Sequence, residues 1–230
     1  MYLQYGRYLL IASSRKGSLP AHLQGGWSQY EYAPWSGGYW HNINEQMNYW
    51  PVFSTNLAEL FEAYADYIRK NNPEALAEPV EENGWTIGTG ANAFSISAPG
   101  GHSGPGTGGF TTKLFWDYYD FTRDKEILDQ QVYPVLLGMS KFLSKTLKRN
   151  AVGLYLASPS SSPEQVHKGA YYQTEGCTFD QCMIWENHHD LLQAARHLGY
   201  RTLHRTGGSG QFCCGCGLEG EDVGKDEDYL

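Results

Sequence analysis

Apolar residues near the start of the chain recur at a helical spacing: Tyr5, Tyr8, Leu9 and Ala12 predict a helix over 2–14. The period is lost over 15–40, where Pro20, Pro34, Gly25, Gly26, Gly37 and Gly38 punctuate a run holding Trp27, Trp35 and Trp40. Side chains of that size are expected to pack or to face a ligand. Helical spacing returns over 44–70 as two stretches with a break at Pro51, the second capped by Asn56 and carrying a stripe of Leu57, Leu60, Phe61, Tyr64 and Tyr67. A glycine-rich loop covers 83–109, and loops of such length are usually functional. Helices follow over 109–122 and 125–148, then a short β-like element at 153–156 and the turn Ser158-Pro159-Ser160-Ser161-Ser162-Pro163-Glu164. A last helix covers 178–198, with Gly199 at its C-terminal cap. Strand signal is almost absent, so the expectation is an all-α fold with its function in the loops. Beyond Tyr200 no amphipathic period survives, which divides the chain into a folded segment, 1–199, and a disordered or aberrant tail, 200–230.

Composition narrows the class. The 230 residues carry 17 basic and 25 acidic side chains, a formal net charge of -8, which disfavours a nucleic-acid partner because phosphate binding needs basic excess. Aromatic residues at 14% against charged residues at 18% exclude general disorder. No run approaches the roughly 20 apolar residues that span a bilayer, so no membrane partner is expected. The first residues, Met1 to Arg7, lack the pattern of a signal peptide. Five cysteines, with Cys213, Cys214 and Cys216 crowded near the end, form neither a disulfide framework nor a zinc spacing. A reducing, cytoplasmic setting is the default, and neither cofactor nor metal is expected.

Three groups of polar residues could carry chemistry. The string Trp40-His41-Asn42-Ile43-Asn44-Glu45-Gln46-Met47-Asn48-Tyr49-Trp50-Pro51 sets several carboxamides between tryptophans. Asn42 and Asn44, two apart in an extended stretch, would point the same way and could orient a water or a sugar hydroxyl; equally, they could be turn and cap residues. Glu164 sits on a turn stiffened by Pro159 and Pro163, as a general acid or as an ordinary loop carboxylate. Asp180, Glu186, Asn187, His188, His189 and Asp190 share the last helix; Asp180 suits its N-terminal dipole, and the adjacent histidines point about 100° apart and cannot both bind one ion from that helix. The glycine loop lacks the spacing of a phosphate loop, and no Gly-x-Ser-x-Gly elbow occurs.

Three motifs in order, Gly6-Arg7-Tyr8-Leu9-Leu10-Ile11-Ala12-Ser13-Ser14-Arg15, Leu19-Pro20-Ala21-His22-Leu23-Gln24-Gly25 and Asn42-Ile43-Asn44-Glu45-Gln46-Met47-Asn48-Tyr49-Trp50-Pro51, resemble the catalytic domain of glycoside hydrolase family 95, typified by inverting α-L-fucosidases. Asn56 to Leu60, Thr107-Gly108-Gly109, Tyr133-Pro134 and the Ser-Pro-rich turn continue the resemblance to about residue 199. It implies an (α/α)6 toroid of about twelve helices, of which 230 residues hold five or six, hence an incomplete toroid. It further implies Glu164 as general acid, a water held by Asn42 and Asn44, and an activating Asp further along than this chain reaches. Trp40 and Phe94 fall where sugar-facing residues of the family cluster, and with His41 they are assigned to substrate binding. The implied substrate is a fucosylated oligosaccharide, with L-galactose as the other sugar. The isolated chain is expected to be inactive or nearly so. Two other readings remain: a non-catalytic carbohydrate-binding toroid fragment, and a phosphorylase of α-glucosides, which the scarcity of Lys and Arg in the loops disfavours.

Overall fold

The computed structural model describes residues 1–76, 82–97 and 102–200. The C-terminal tail expectation, with Cys213, Cys214 and Cys216, lies outside the described residues, as does part of the glycine loop. Six helices of eleven or more residues carry the described structure: α1 (Tyr2–Ser13), α2 (Asn44–Ser54), α3 (Phe61–Asn71), α4 (Gly106–Thr122), α6 (Tyr133–Lys145) and α7 (Thr178–Leu198), with the short α5 (Lys125–Ile127) leading through a π-turn into α6. The all-α class expected from the periodicity holds.

Strand structure is more frequent than the sequence suggested, although every strand has two or three residues. β1 (Tyr39–Trp40), β2 (Gly90–Asn92) and β3 (Ser95–Ile96) form an antiparallel sheet in which Trp40 is opposite Gly90. β4 (Leu147–Arg149) pairs with β5 (Tyr155–Ala157), and β6 (Val166–His167) with β7 (Ala170–Tyr171). These hairpins brace loops, and a period of two cannot show in segments so short.

The core lies between α2, α3, α4, α6 and α7. The expected stripe is buried throughout, although only Phe61, Tyr64 and Tyr67 lie on α3; Leu57 and Leu60 belong to the 3-10 turn that leads into it. Phe61 meets Phe115 of α4 edge-on at 5.2 Å, and Tyr49 of α2 lies 5.2 Å from Tyr64. Asn56 is not a cap; it sits at φ 57, the left-handed conformation that Asn tolerates, and turns the chain from α2 toward α3. Pro51 does not break α2, which continues to Ser54. Met47, Trp50, Pro51 and Ser54 all lie on its exposed face, so the carbonyl left without a donor meets solvent. In α1 the buried face is displaced from the predicted stripe: Tyr5 and Tyr8 stand in solvent, while Leu10 and Ser14 are buried, with the Ser14 hydroxyl at 2.7 Å from the Tyr49 hydroxyl and donating to the Leu60 carbonyl at 3.1 Å. Trp27 and Trp35 are exposed rather than packed.

The glycine loop ends earlier than predicted, because Gly106, Gly108 and Gly109 form the first turn of α4. Helix α7 presses on this turn. A Cβ on Gly109 would overlap the Met183 carbonyl, and one on Gly108 would overlap the Met139 thioether. The glycines are what let backbone meet backbone there. Gly109→Ala is therefore expected to destabilise the chain by about 1–3 kcal/mol in urea unfolding, opposite in sign to the gain of about 1 kcal/mol that Ala gives in an open helix.

Candidate active site

Asn42 occupies the turn between β1 and α2. The turn is fixed by the His41 amide, which donates to the Thr89 carbonyl at 2.8 Å, and by Gln46, whose side-chain amide donates to the His41 carbonyl at 2.5 Å. The side chain of Asn42 is buried, and its Nδ2 donates to Oε1 of Glu164 at 2.8 Å, joining residues 122 positions apart. Two of the three residues proposed for catalysis from the sequence are thus in direct contact. Asn44 is not in an extended stretch with Asn42: Ile43 has φ -168 and ψ -44, and Asn44 opens α2, half-buried. Among the described residues it bonds to neither Asn42 nor Glu164. Glu164 itself stands exposed, open to a ligand, rather than inside an apolar cleft.

The residues assigned to substrate binding separate. Trp40 is half-buried on β1. Phe94, at the tip of the β2–β3 hairpin, is 90% exposed, its amide held by the Asn92 side chain at 2.8 Å. It borders a cavity of about 350 Å³ with Tyr67, Leu19, Ala93 and Lys70, which Glu164 and Asn42 do not line. His41 is wholly enclosed, its ring parallel to that of Tyr67 at 6.1 Å.

Glu164 is carried by a turn that is anchored from below. Ser160 and Ser161 are buried; the Ser160 hydroxyl donates to Asp180 Oδ2 at 2.6 Å and the Ser161 amide to the same oxygen at 3.1 Å. The Gln165 amide closes the turn on the Ser162 carbonyl at 2.9 Å. Asp180, three residues into α7, does not cap that helix; its carboxylate faces the two loops. A second strand of hydrogen bonds links Thr89, Ser103 and Thr107, through their hydroxyls, to the carbonyl that holds His41 in place.

Beneath Asn42 lies a floor of buried titratable groups. Burial holds the His41 imidazole down to about 3, with the Thr89 carbonyl opposing, so the ring is neutral. Glu45, wholly buried on α2 with no partner for either carboxyl oxygen among the described residues, is pushed well above the usual carboxylate range by burial. On α7, burial pushes Asp190 up to about 8. Sequence reasoning missed Glu45, since an acidic residue in a first turn reads as a partner of the helix dipole. Asn187 is a core residue, donating to Thr112 at 2.9 Å, and His189 stacks on Trp185 at 5.0 Å.

The described structure is thus predominantly helical, with a loop carboxyl, Glu164, in contact with a buried carboxamide, Asn42. The model of the glycosyl hydrolase family 95 catalytic domain matches residues 1–207, and the chain belongs to that family. It is 36% identical to a probable alpha-fucosidase A from Aspergillus niger over 206 residues, 84% of this chain and 26% of the relative. It is 32% identical to alpha-L-fucosidase 2 from Arabidopsis thaliana over 211 residues, 86% of this chain and 25% of the relative. The chain spans about a quarter of the length of these curated relatives.

The buried acid at Glu45 gives stability a definite pH dependence. Its proton stays bound in the folded chain but leaves the unfolded one above about pH 4.5, so folding weakens as pH rises from there toward the folded-state titration. His41 acts with the opposite sign: its contribution is complete above about pH 6.5 and falls as pH drops toward 3. Comparing wild type with Glu45→Gln cancels the His41 part. Denaturant unfolding from pH 4.5 upward is expected to show wild type losing about 1.4 kcal/mol per pH unit relative to the variant.

Proposed function

We propose that this chain supplies the acid and water-holding side of a glycosidase site that removes terminal α-linked L-fucose, or L-galactose, from oligosaccharides with inversion. The observation that carries the proposal is the bond from Asn42 Nδ2 to Glu164 Oε1, supported by family membership and by the fucosidase names of the relatives. With Oε1 engaged as an acceptor, the other carboxyl oxygen of Glu164 is the one that carries the acid proton and delivers it to the leaving glycosidic oxygen. A sugar ring does not fit between groups 2.8 Å apart, so the ring lies to the Asn44 side of this pair. There the Asn44 carboxamide orients the attacking water on the opposite face. Inverting geometry wants about 6.5–9.5 Å between acid and base, which Asn42 in contact with the acid does not span. A carboxamide cannot accept a full proton, so a carboxylate must act with it. That carboxylate is the Asp which the family resemblance implies.

The exposed rings of Trp27, Trp35 and Phe94 favour a second reading, a carbohydrate-binding segment without catalysis, since bare aromatic faces suit sugar stacking.

Hydrolysis of 2′-fucosyllactose and of p-nitrophenyl α-L-fucoside separates the two, measured on the chain alone and on the chain completed with the rest of a relative's catalytic domain. The expected product, followed by proton NMR, is β-L-fucose first, with Glu164→Gln slowing turnover by about 10²–10⁴-fold. Release of the α-anomer, or a variant as fast as wild type, would overturn the proposal. Binding of the trisaccharide without turnover in the completed protein would establish the second reading.

A further inference from the structure

The Asp180 side chain is completely buried, and its carboxylate is the meeting point of two loops distant in sequence and the start of its own helix. Oδ1 accepts the Gly106 amide at 2.7 Å. Oδ2 accepts the Ser160 hydroxyl at 2.6 Å, the Ser161 amide at 3.1 Å and the Cys177 thiol at 3.4 Å. The Ser160 hydroxyl in turn accepts the Cys177 amide at 3.0 Å, and the Gly104 amide donates to the Ser161 carbonyl at 3.1 Å. The space is made for this group alone: a Cβ on Gly104 or on Gly106 would run into the Asp180 carboxylate. The Cys177 thiol is local, at the N-cap of α7, but the Gly106, Ser160 and Ser161 donors come from two other loops, so the group does more than serve its own helix end.

The turn fixed in this way carries Glu164 three residues after Ser161. We infer that Asp180 is the positioning residue of the site: by locking the 158–164 turn to the 103–107 segment it holds Glu164 against Asn42. The same 103–107 segment reaches Asn42 from the other side, through Ser103, Thr89 and the His41 amide. Asp180 therefore ties both halves of the Asn42–Glu164 pair to one frame without touching a substrate. The catalytic part of this inference rests on the fucosidase reading; the geometric part does not.

The test separates the two. In the 230-residue chain, the side-chain amide of Asn42 is followed in a ¹H–¹⁵N spectrum, with Glu164→Ala marking its position when the partner is absent. Asp180→Asn replaces an acceptor by a donor among the four donors, and it is expected to move the Asn42 signal to the Glu164→Ala position while circular dichroism stays helical. Ser160→Ala and Gly104→Ala are expected to move it the same way, and they carry the test if Asp180→Asn does not fold. An Asn42 signal unchanged in the folded variants would overturn the inference. In a polypeptide that turns over fucoside, Asp180→Asn is expected to lower kcat by about 10²-fold with KM nearly constant, the signature of a displaced catalytic group and not of lost binding. Unimpaired kcat in that variant sinks the positioning role alone. Absence of hydrolysis by the completed wild type sinks the fucosidase reading and leaves the Asn42 signature as the measure of Asp180.

Discussion

Four donors from three segments converge on the carboxylate of Asp180, and the rest of the site hangs from that convergence. A carboxyl group enclosed by protein is tolerable only when its oxygens are supplied with hydrogen bonds, because water no longer solvates it. Here the supply comes from Gly106, Ser160, Ser161 and Cys177, so the group can be satisfied only when all three segments are in place. The requirement runs in both directions. The loops need Asp180 to fill the space between them, and Asp180 needs glycines at 104 and 106 because any larger residue would occupy that space. A loop with few apolar contacts is in this way given one low-energy arrangement, which a catalytic carboxyl needs more than it needs a large core.

The parts of the fold legible in the sequence were those with a clean period. The α3 stripe and α7 with its Gly199 cap were readable because apolar side chains and a left-handed glycine leave a local signature. The α1 stripe was misplaced because Tyr satisfies an apolar pattern as easily in solvent as in the core: Tyr5 and Tyr8 stand out while Leu10 packs. Glycines at 106, 108 and 109 read as loop because propensity disfavours them in helices, and the demand that reverses this, the approach of α7, is tertiary. At the site, Glu164 and Asn42 were legible from motifs, but their contact was not, since nothing local ties position 42 to position 164. Asp180 was read as a helix-dipole residue for the same reason. A local rule accounted for it, while three of its four partners lie 19, 20 and 74 positions away.

Below the Asn42 turn the chain spends stability on polarity. His41 and Glu45 are enclosed among Tyr39, Tyr64 and Tyr67, and each is driven to its neutral form by burial. Neutral groups can be stacked in an aromatic floor where charged ones could not. Glu164, by contrast, stands at the surface, where its carboxyl meets solvent. Two acidic side chains within reach of one turn therefore differ in function through environment alone, one locked and one available.

The contact between Asn42 and Glu164 also constrains where a sugar can sit. If both carboxamides held the water, both would face the acid across the ring, at a separation that leaves room for it. One of them instead touches the acid directly. On the proposed glycosidase reading the pair acts as a single unit, an acid whose free oxygen is chosen by the carboxamide bound to the other. The water then falls, on the same reading, to Asn44, at the start of α2, where the first-turn amides add partial positive charge that favours an incipient hydroxide. A carboxamide and a helix end can orient and polarise water but cannot remove its proton. On that reading Glu164 serves as the acid and Glu45 is sealed in the core, so neither takes that proton, and the proposed reaction needs one further carboxylate.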